Sequence, residues 1–185
     1  MYFARMFLIL LCAFLLSACG GVMDDLNPSG SDKRTAVITG TTGPGVGQNA
    51  PDFTISDTLG TSVNLYSELS GTTITGVVLY FTMWCPICDT HLSQMRDNII
   101  PYYPDVSFFA VDYVSATVAD ARTAELNNGF VGAGFRVLAD THQTVMNAYL
   151  GTMGTTVVID KSGVIRMNED FKDGTRLNTT LATLP

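Results

Sequence analysis

Two cysteines separated by two residues are the side chains of this sequence best suited to chemistry. Cys85 and Cys88 enclose Pro86 and Ile87 in a C-P-I-C motif. Residues 76–81, which precede the motif closely, form an apolar run with the length and the β-branched and aromatic content of a buried strand. A dithiol in this position can attack disulfides, form a disulfide of its own, or bind a soft metal.

A helix is predicted to begin at the cysteine pair, because mostly apolar side chains recur beyond it at helical spacing: His91, Leu92, Met95, Ile99 and Ile100. Pro86 falls in the first turn, where its missing N–H costs nothing. The helix dipole and the unpaired N–H groups of that turn stabilise a thiolate. We therefore expect Cys85, at the helix start, to attack disulfides and Cys88, one turn further on, to resolve the mixed disulfide.

A structural disulfide and half of a zinc site are the alternatives to redox chemistry. A structural disulfide that closes so short a loop would contribute little chain-entropy stabilisation. A zinc site needs four ligands. The expected mature chain has lost Cys12 and carries lipid on Cys19, so beyond the motif it offers only His91 and His142. A C-x-x-C motif between a strand and a helix therefore favours redox chemistry.

Three segments of the chain resemble a known family. Residues 84–88 read W-C-P-I-C and resemble the active site of thioredoxin-like proteins. Residues 50–65 and 155–165 resemble the A-P-D-F opening and the T-T-F-L-I-D strand pair of TlpA/ResA-type redoxins, in the AhpC/TSA–redoxin superfamily. The resemblance implies an α/β thioredoxin-like fold with a central mixed β-sheet flanked by helices. It also implies thiol–disulfide exchange outside the cytoplasm, on protein substrates that carry cysteines or disulfides.

The beginning of the chain predicts export. Residues 1–18 contain Arg5 and an apolar run too short to span a bilayer, which is typical of a signal peptide. Residues 16–19, L-S-A-C, resemble a bacterial lipobox, whose cysteine, here Cys19, is lipidated and becomes the mature N-terminus. An ordinary secretory signal and an uncleaved anchor are the alternatives. We expect a lipoprotein anchored in the bacterial cell envelope, which exchanges electrons with an unidentified envelope donor or acceptor.

Composition divides the rest of the chain. Residues 19–49 are rich in Gly, Ser, Thr, Asp and Pro and are predicted to form a flexible tether. Residues 50–185 alternate strand and helix patterns, as an α/β domain does. The predicted strands cover about 53–55, 63–65, 76–81, 106–111, 135–138, 155–159 and 164–167, and the predicted helices begin near 86, 116, 144 and 177. With ten basic and seventeen acidic residues and no basic cluster, nucleic acid is a poor partner.

The loop that should face the cysteines departs from the family. Residues Met153, Gly154 and Thr155 form the expected substrate-facing loop, and the family has a cis-proline where this chain has Gly154. A cis bond without proline costs about 2.5–4 kcal/mol, so we expect a trans bond there. Glycine has no side chain, so we expect open space above both cysteines, access for soft metal, and weaker metal binding after Gly154→Pro.

The residues that could exchange protons with the thiols are the second departure from the family. Thioredoxins place an aspartate where this chain has Leu79, and TlpA/ResA-type proteins place a glutamate where it has His91. His91 lies one turn beyond Cys88 and could accept its proton, or it could be a helix histidine without a role. Trp84 is expected to form an apolar wall beside the thiols, whereas Tyr80 is expected to be a core residue.

Two further functions stay open. Thr82 stands three residues before Cys85, as in a peroxiredoxin-like peroxidase motif, but the proline position of that motif holds Val78. Copper handling by the thiolates with His91 or Met153 is the other alternative, although copper chaperones of this fold usually carry C-x-x-x-C. We assign no cofactor and no resident metal.

Overall fold

The computed structural model describes residues 37–185. The predicted signal peptide, the predicted lipidation site Cys19 and the first part of the predicted tether lie outside the described residues. Within residues 37–185, no helix is both long enough and apolar enough to cross a membrane.

The described residues form seven strands and five α-helices. The strands are β1 (Thr54–Ser56), β2 (Ser62–Asn64), β3 (Gly76–Thr82), β4 (Val106–Asp112), β5 (Arg136–Ala139), β6 (Thr155–Asp160) and β7 (Ile165–Asp170). The helices are α1 (Leu65–Leu69), α2 (Pro86–Asn98), α3 (Val118–Asn127), α4 (Thr144–Tyr149) and α5 (Thr175–Leu181). A short 3₁₀ turn, Ile100–Tyr102, follows α2 where Pro101 cannot continue the helix.

Five strands form a mixed sheet in the order β5-β4-β3-β6-β7. Strand β3 pairs in parallel with β4, which pairs in parallel with β5, while β6 is antiparallel to both β3 and β7. Strands β1 and β2 form a separate antiparallel pair. The predicted α/β fold with a central mixed sheet flanked by helices is confirmed.

The central strand β3 is buried along its whole length, because helices cover both faces of the sheet. Val78 and Tyr80 point to the face that carries α2 and α5. Leu79 and Phe81 point to the opposite face, where they pack with α1 and α4. The alternation of side chains along a strand thus places Tyr80, but not Leu79, under the helix that begins at the cysteines.

Two predictions for the first part of the described chain need correction. Leu65, predicted to end a strand, instead begins α1, because the side chain of Asn64 accepts a hydrogen bond from the Ser67 N–H and caps the helix. The predicted flexible tether is wrong for residues 37–49. Their backbone is bonded to the β6–β7 hairpin through Gly47 N–H to Ile165 C=O at 2.9 Å, among others.

Candidate active site

The chain turns sharply between β3 and α2. Trp84, between the two elements, has φ +58°, a left-handed conformation that residues other than glycine seldom adopt. The Thr82 hydroxyl oxygen holds this turn by accepting a hydrogen bond from the Trp84 N–H at 3.1 Å. The turn brings Cys85 to the start of α2, at the carboxyl end of a central strand. We call residues 82–88 the cysteine loop.

Cys85 is the N-cap of α2, and Pro86 is its first residue, as predicted. The Cys85 Sγ accepts a hydrogen bond from the Cys88 backbone N–H at 3.3 Å, so it satisfies one of the free N–H groups of the helix start. The two thiols are free, and their sulfur atoms are 2.6 Å apart. Cys85 is partly exposed, whereas Cys88 is fully buried.

The pKa directions of the two thiols are opposite to the sequence-based expectation. Burial raises the pKa of Cys85, and its hydrogen bond with Cys88 raises it further. Burial also acts to raise the pKa of Cys88, but hydrogen bonds from Cys85, the Met83 backbone and Thr82 outweigh it and lower that pKa. Because the two thiols are in contact, the first thiolate belongs to the pair, and moving the shared proton between the sulfur atoms places it on either cysteine.

Tyr80 connects the buried thiol to His91. Its hydroxyl is 3.0 Å from His91 Nδ1. Burial raises the pKa of Tyr80 most, and the charge of Cys88 and a hydrogen bond with that thiol raise it further. Burial lowers the pKa of His91, which favours its neutral, proton-accepting form. The contact expected between His91 and Cys88 therefore runs through the Tyr80 hydroxyl.

An acidic side chain stands beside the buried cysteine in the sequence. Asp89 lies in the first turn of α2, and burial raises the pKa of its carboxyl. One of its oxygen atoms, Oδ1, is buried without a hydrogen-bond partner. A carboxyl with a raised pKa holds a proton more readily, which suits an oxygen that has no donor near it.

Trp84 is fixed from the neighbouring strand. Its Nε1–H donates to Asp112 Oδ2 at 2.8 Å, at the carboxyl end of β4, and its ring lies against Phe130. Asp112 is fully buried and also accepts from the Val114 and Ser115 backbone N–H groups. Trp84 is half-buried and packs against the core beside the cysteines, as an apolar wall would.

A second loop, residues 152–155, faces the cysteines, and we call it the facing loop. Met153 is exposed over 41% of its surface, and its Sδ lies 3.3 Å from Cys85 Sγ. Gly154 is buried at φ +86°, and every peptide bond of the described residues is trans. The space beside the cysteines is partly filled, because Met153 contacts Cys85 and Cys88 is fully buried. That this site is more open than one with proline stays a prediction.

The backbone of the facing loop is tied to β3 and to the residue that follows β7. The Gly154 N–H donates to the Phe81 C=O at 3.0 Å, and the Gly154 C=O accepts from the Phe171 N–H at 2.8 Å. Thr155 is buried, and its hydroxyl is bonded within the loop to Thr152. Of the three residues predicted to face a substrate, only Met153 is exposed.

The structure brings Met153 to Cys85 and His91 to Tyr80, whereas the Thr155 hydroxyl bonds Thr152 and Asp170. It also adds three residues. Tyr80, Asp89 and Asp112 were not predicted to belong to the site. The alternation along β3 could have indicated Tyr80, which lies on the α2 face. The position of Asp112 at the carboxyl end of a strand parallel to β3 could have indicated that residue. Asp89 has no comparable signal.

The chain is similar to known proteins of one family. Residues 46–168 match the model of the AhpC/TSA family. The thiol-disulfide oxidoreductase ResA of Geobacillus kaustophilus is 32% identical over 136 residues, which cover 71% of this chain and 73% of that protein.

Solved structures share the fold. A protein assigned as a thiol:disulfide interchange protein DsbE, from Chlorobium tepidum, is 25% identical with a TM-score of 0.61; the match covers 75% of this chain and 96% of that one. The peroxidoxin BcpB of Mycobacterium tuberculosis is 23% identical with a TM-score of 0.59, over 75% of this chain and 94% of that one. The likeness to the peroxidoxin concerns the fold alone.

Proposed function

The chain belongs to the AhpC/TSA family, and we propose that it is a thiol–disulfide oxidoreductase whose redox centre is Cys85 and Cys88. The observation that carries this function is the pair of free thiols 2.6 Å apart at the start of α2. Cys85 is partly exposed and Cys88 is buried, so Cys85 can react with a substrate while Cys88 stays available for the second step.

Exposure assigns the two roles. The Cys85 thiolate attacks one sulfur of a substrate disulfide, forms a mixed disulfide and releases the second substrate sulfur as a thiolate. The Cys88 thiolate then attacks Cys85 Sγ, forms the internal disulfide and releases the first substrate sulfur. Two electrons pass from the protein to the substrate. The reverse sequence oxidises a substrate dithiol.

Tyr80 and His91 support the second step. Cys88 must be a thiolate when it attacks, and its proton has to leave a buried position. The Tyr80 hydroxyl can take up this proton while it passes its own to His91 Nδ1, 3.0 Å away. Because burial keeps the pKa of His91 low, the imidazole is free to accept that proton near neutral pH.

Insulin reduction tests the function. With dithiothreitol as electron source, the wild-type protein should accelerate insulin precipitation, and Cys85→Ser should reduce the rate to that of dithiothreitol alone. Cys88→Ser should instead accumulate a mixed disulfide through Cys85, visible by non-reducing electrophoresis. If Cys85→Ser keeps wild-type activity, the proposed redox centre is wrong.

The reduction potential decides the direction of electron flow. It depends on the relative stability of the dithiol and disulfide forms, and it can be measured by equilibrating the protein in glutathione buffers. A potential near about −270 mV, as in thioredoxin, supports a reductase. A potential near about −120 mV, as in the strongest periplasmic oxidants, supports disulfide formation.

The beginning of the sequence supports a location in the cell envelope. We propose that the protein is an envelope lipoprotein that carries its lipid on Cys19 and acts on envelope proteins with cysteines, apocytochrome c among them. An envelope partner supplies or removes its electrons. Mass spectrometry of membrane fractions should find a diacylglyceryl-modified peptide that begins at Cys19. Recovery of an unmodified, soluble protein would contradict the anchor but not the redox centre.

A further inference from the structure

We propose that the reduced protein binds one Cu(I) ion through three sulfur atoms: Cys85 Sγ, Cys88 Sγ and Met153 Sδ. This binding site goes beyond the proposed disulfide exchange, although it uses the same cysteines. Cys85 is the central member of the group, because its sulfur is 2.6 Å from that of Cys88 and 3.3 Å from that of Met153. The three sulfur atoms have to move apart to surround an ion, and the exposed Met153 side chain has room to do so.

Met153 is placed at the thiols by the fold rather than by local sequence. It lies 68 residues from Cys85, yet its sulfur contacts the Cys85 sulfur. With 41% of its surface exposed, it is not a core residue held by burial. The two backbone hydrogen bonds of Gly154, to Phe81 and from Phe171, fix the loop that carries it. The facing loop, held by these hydrogen bonds, therefore places the Met153 thioether against the thiols.

The chemistry of the three ligands selects the metal. Two thiolates and a thioether are soft ligands, which suit Cu(I), whereas a structural zinc site requires four ligands. Within residues 37–185, no three His, Cys, Asp or Glu side chains are grouped to hold a metal. The imidazole of His91 has its Nδ1 hydrogen-bonded to the Tyr80 hydroxyl. The described residues of one monomer therefore offer a site of three sulfur atoms. They offer no four-ligand site made of His, Cys, Asp and Glu side chains.

Charge also favours the ion at this place. Cu(I) with two thiolates carries a net charge of −1, and the site lies at the N-terminus of α2, where the helix dipole stabilises negative charge. The Cys88 N–H, which already donates to Cys85 Sγ, is oriented to stabilise the bound sulfur. Binding replaces the thiol protons by the metal and transfers no electrons.

Copper binding and disulfide exchange exclude each other. The internal disulfide leaves no thiolate to bind a metal, so only the reduced protein can hold Cu(I). A bound ion in turn occupies Cys85, the thiol that meets substrate disulfides. We therefore expect stoichiometric Cu(I) to inhibit insulin reduction, and a Cu(I) chelator to restore it.

An anaerobic competition titration tests the site. The reduced wild-type protein is titrated with Cu(I) against bicinchoninate, beside Met153→Leu, which keeps the apolar volume but removes the sulfur. The matched control is Met146→Leu, at a half-buried methionine of α4, which packs on the opposite face of the sheet. We expect one Cu(I) per wild-type protein, an affinity at least about tenfold weaker for Met153→Leu, and wild-type affinity for Met146→Leu. X-ray absorption should count three sulfur ligands in wild type and two in Met153→Leu.

Two results would overturn the proposal: equal Cu(I) affinity of wild type and Met153→Leu, or failure of the reduced wild type to take Cu(I) from the chelator. Insulin reduction by the same metal-free preparation separates these failures from a failure of the proposed function. An active protein that takes no copper contradicts the copper site alone. An inactive protein that takes copper contradicts the oxidoreductase alone.

Discussion

The cysteine loop and the facing loop meet at the same sulfur atoms but are held in place differently. The cysteine loop is held mostly by neighbours in the sequence: Thr82 bonds the Trp84 N–H, and Cys85 caps the helix that Pro86 begins. Its one side-chain bond to a distant strand is that of Trp84 to Asp112. The facing loop is held mainly by distant segments, because both backbone groups of Gly154 bond to residues far away in the sequence. One of them, Phe81, lies next to the cysteine loop, so the two loops share β3 as a support.

Replacing Gly154 by proline should have the largest effect on stability. Proline fixes φ near −65°, whereas Gly154 has φ +86°, and its ring removes the N–H that donates to Phe81. We expect a loss of unfolding free energy of about 3 kcal/mol or more, measured by urea denaturation. The variant is therefore not a clean test of metal access.

Gly60→Ala is the control for backbone strain alone, because Gly60 lies at an exposed turn with a similar φ of +82°. It should lose about 1–2 kcal/mol of unfolding free energy. An unchanged stability of Gly154→Pro would show that the facing loop is not anchored as described.

Trp84→Phe tests how the cysteine loop is tied to β4. The substitution keeps an aromatic ring against Phe130 but leaves the buried Asp112 carboxyl without the donor at 2.8 Å. We expect the unfolding free energy to fall by about 1–2 kcal/mol. Asp112→Asn should lower it as well, and a double-mutant cycle should show coupling between the two residues. Additive effects would mean that the Trp84–Asp112 hydrogen bond contributes nothing.

Tyr80→Phe tests the connection between the buried thiol and His91. Removal of the hydroxyl breaks the link from Cys88 to the imidazole, and we expect release of a glutathione mixed disulfide to slow by about three- to tenfold. Trp84 is the only tryptophan of the chain, so its fluorescence can follow this step by stopped flow. Tyr103→Phe, whose hydroxyl bonds Asn178, is the matched control and should react at the wild-type rate. Equal rates for both variants would remove Tyr80 from the proposed proton path.

The smallest expected effect is a change in the pH dependence of stability. Burial lowers the pKa of His91 below its value of 6.5 in the unfolded chain, so between these two values the unfolded state binds more protons. The unfolding free energy should therefore fall as the pH decreases through this window. His91→Asn should reduce that fall between about pH 7.5 and 5.5. A wild-type slope in His91→Asn would show that His91 titrates normally.

The sequence predicted what local rules decide. The strand, the helix start at Cys85 and the position of Pro86 follow from periodicity and capping, and the α/β fold follows from the strand and helix alternation and the family resemblance. Contacts between distant segments were not predictable from one sequence. The approach of Met153 to Cys85, the Trp84–Asp112 bond and the order of residues 37–49 all depend on tertiary packing. The lowered pKa of Cys88 also depends on packing, because its hydrogen-bond partners surround it only in the folded protein.

The labelling order of the two thiols tests the central claim most directly. The reduced protein is treated briefly with iodoacetamide at mildly acidic pH, and the modified cysteine is identified by peptide mass spectrometry. Although hydrogen bonds lower the pKa of Cys88, that residue is fully buried, so we predict modification of Cys85 first, through transfer of the shared proton. Preferential modification of Cys88 would contradict the assignment of Cys85 as the attacking thiol.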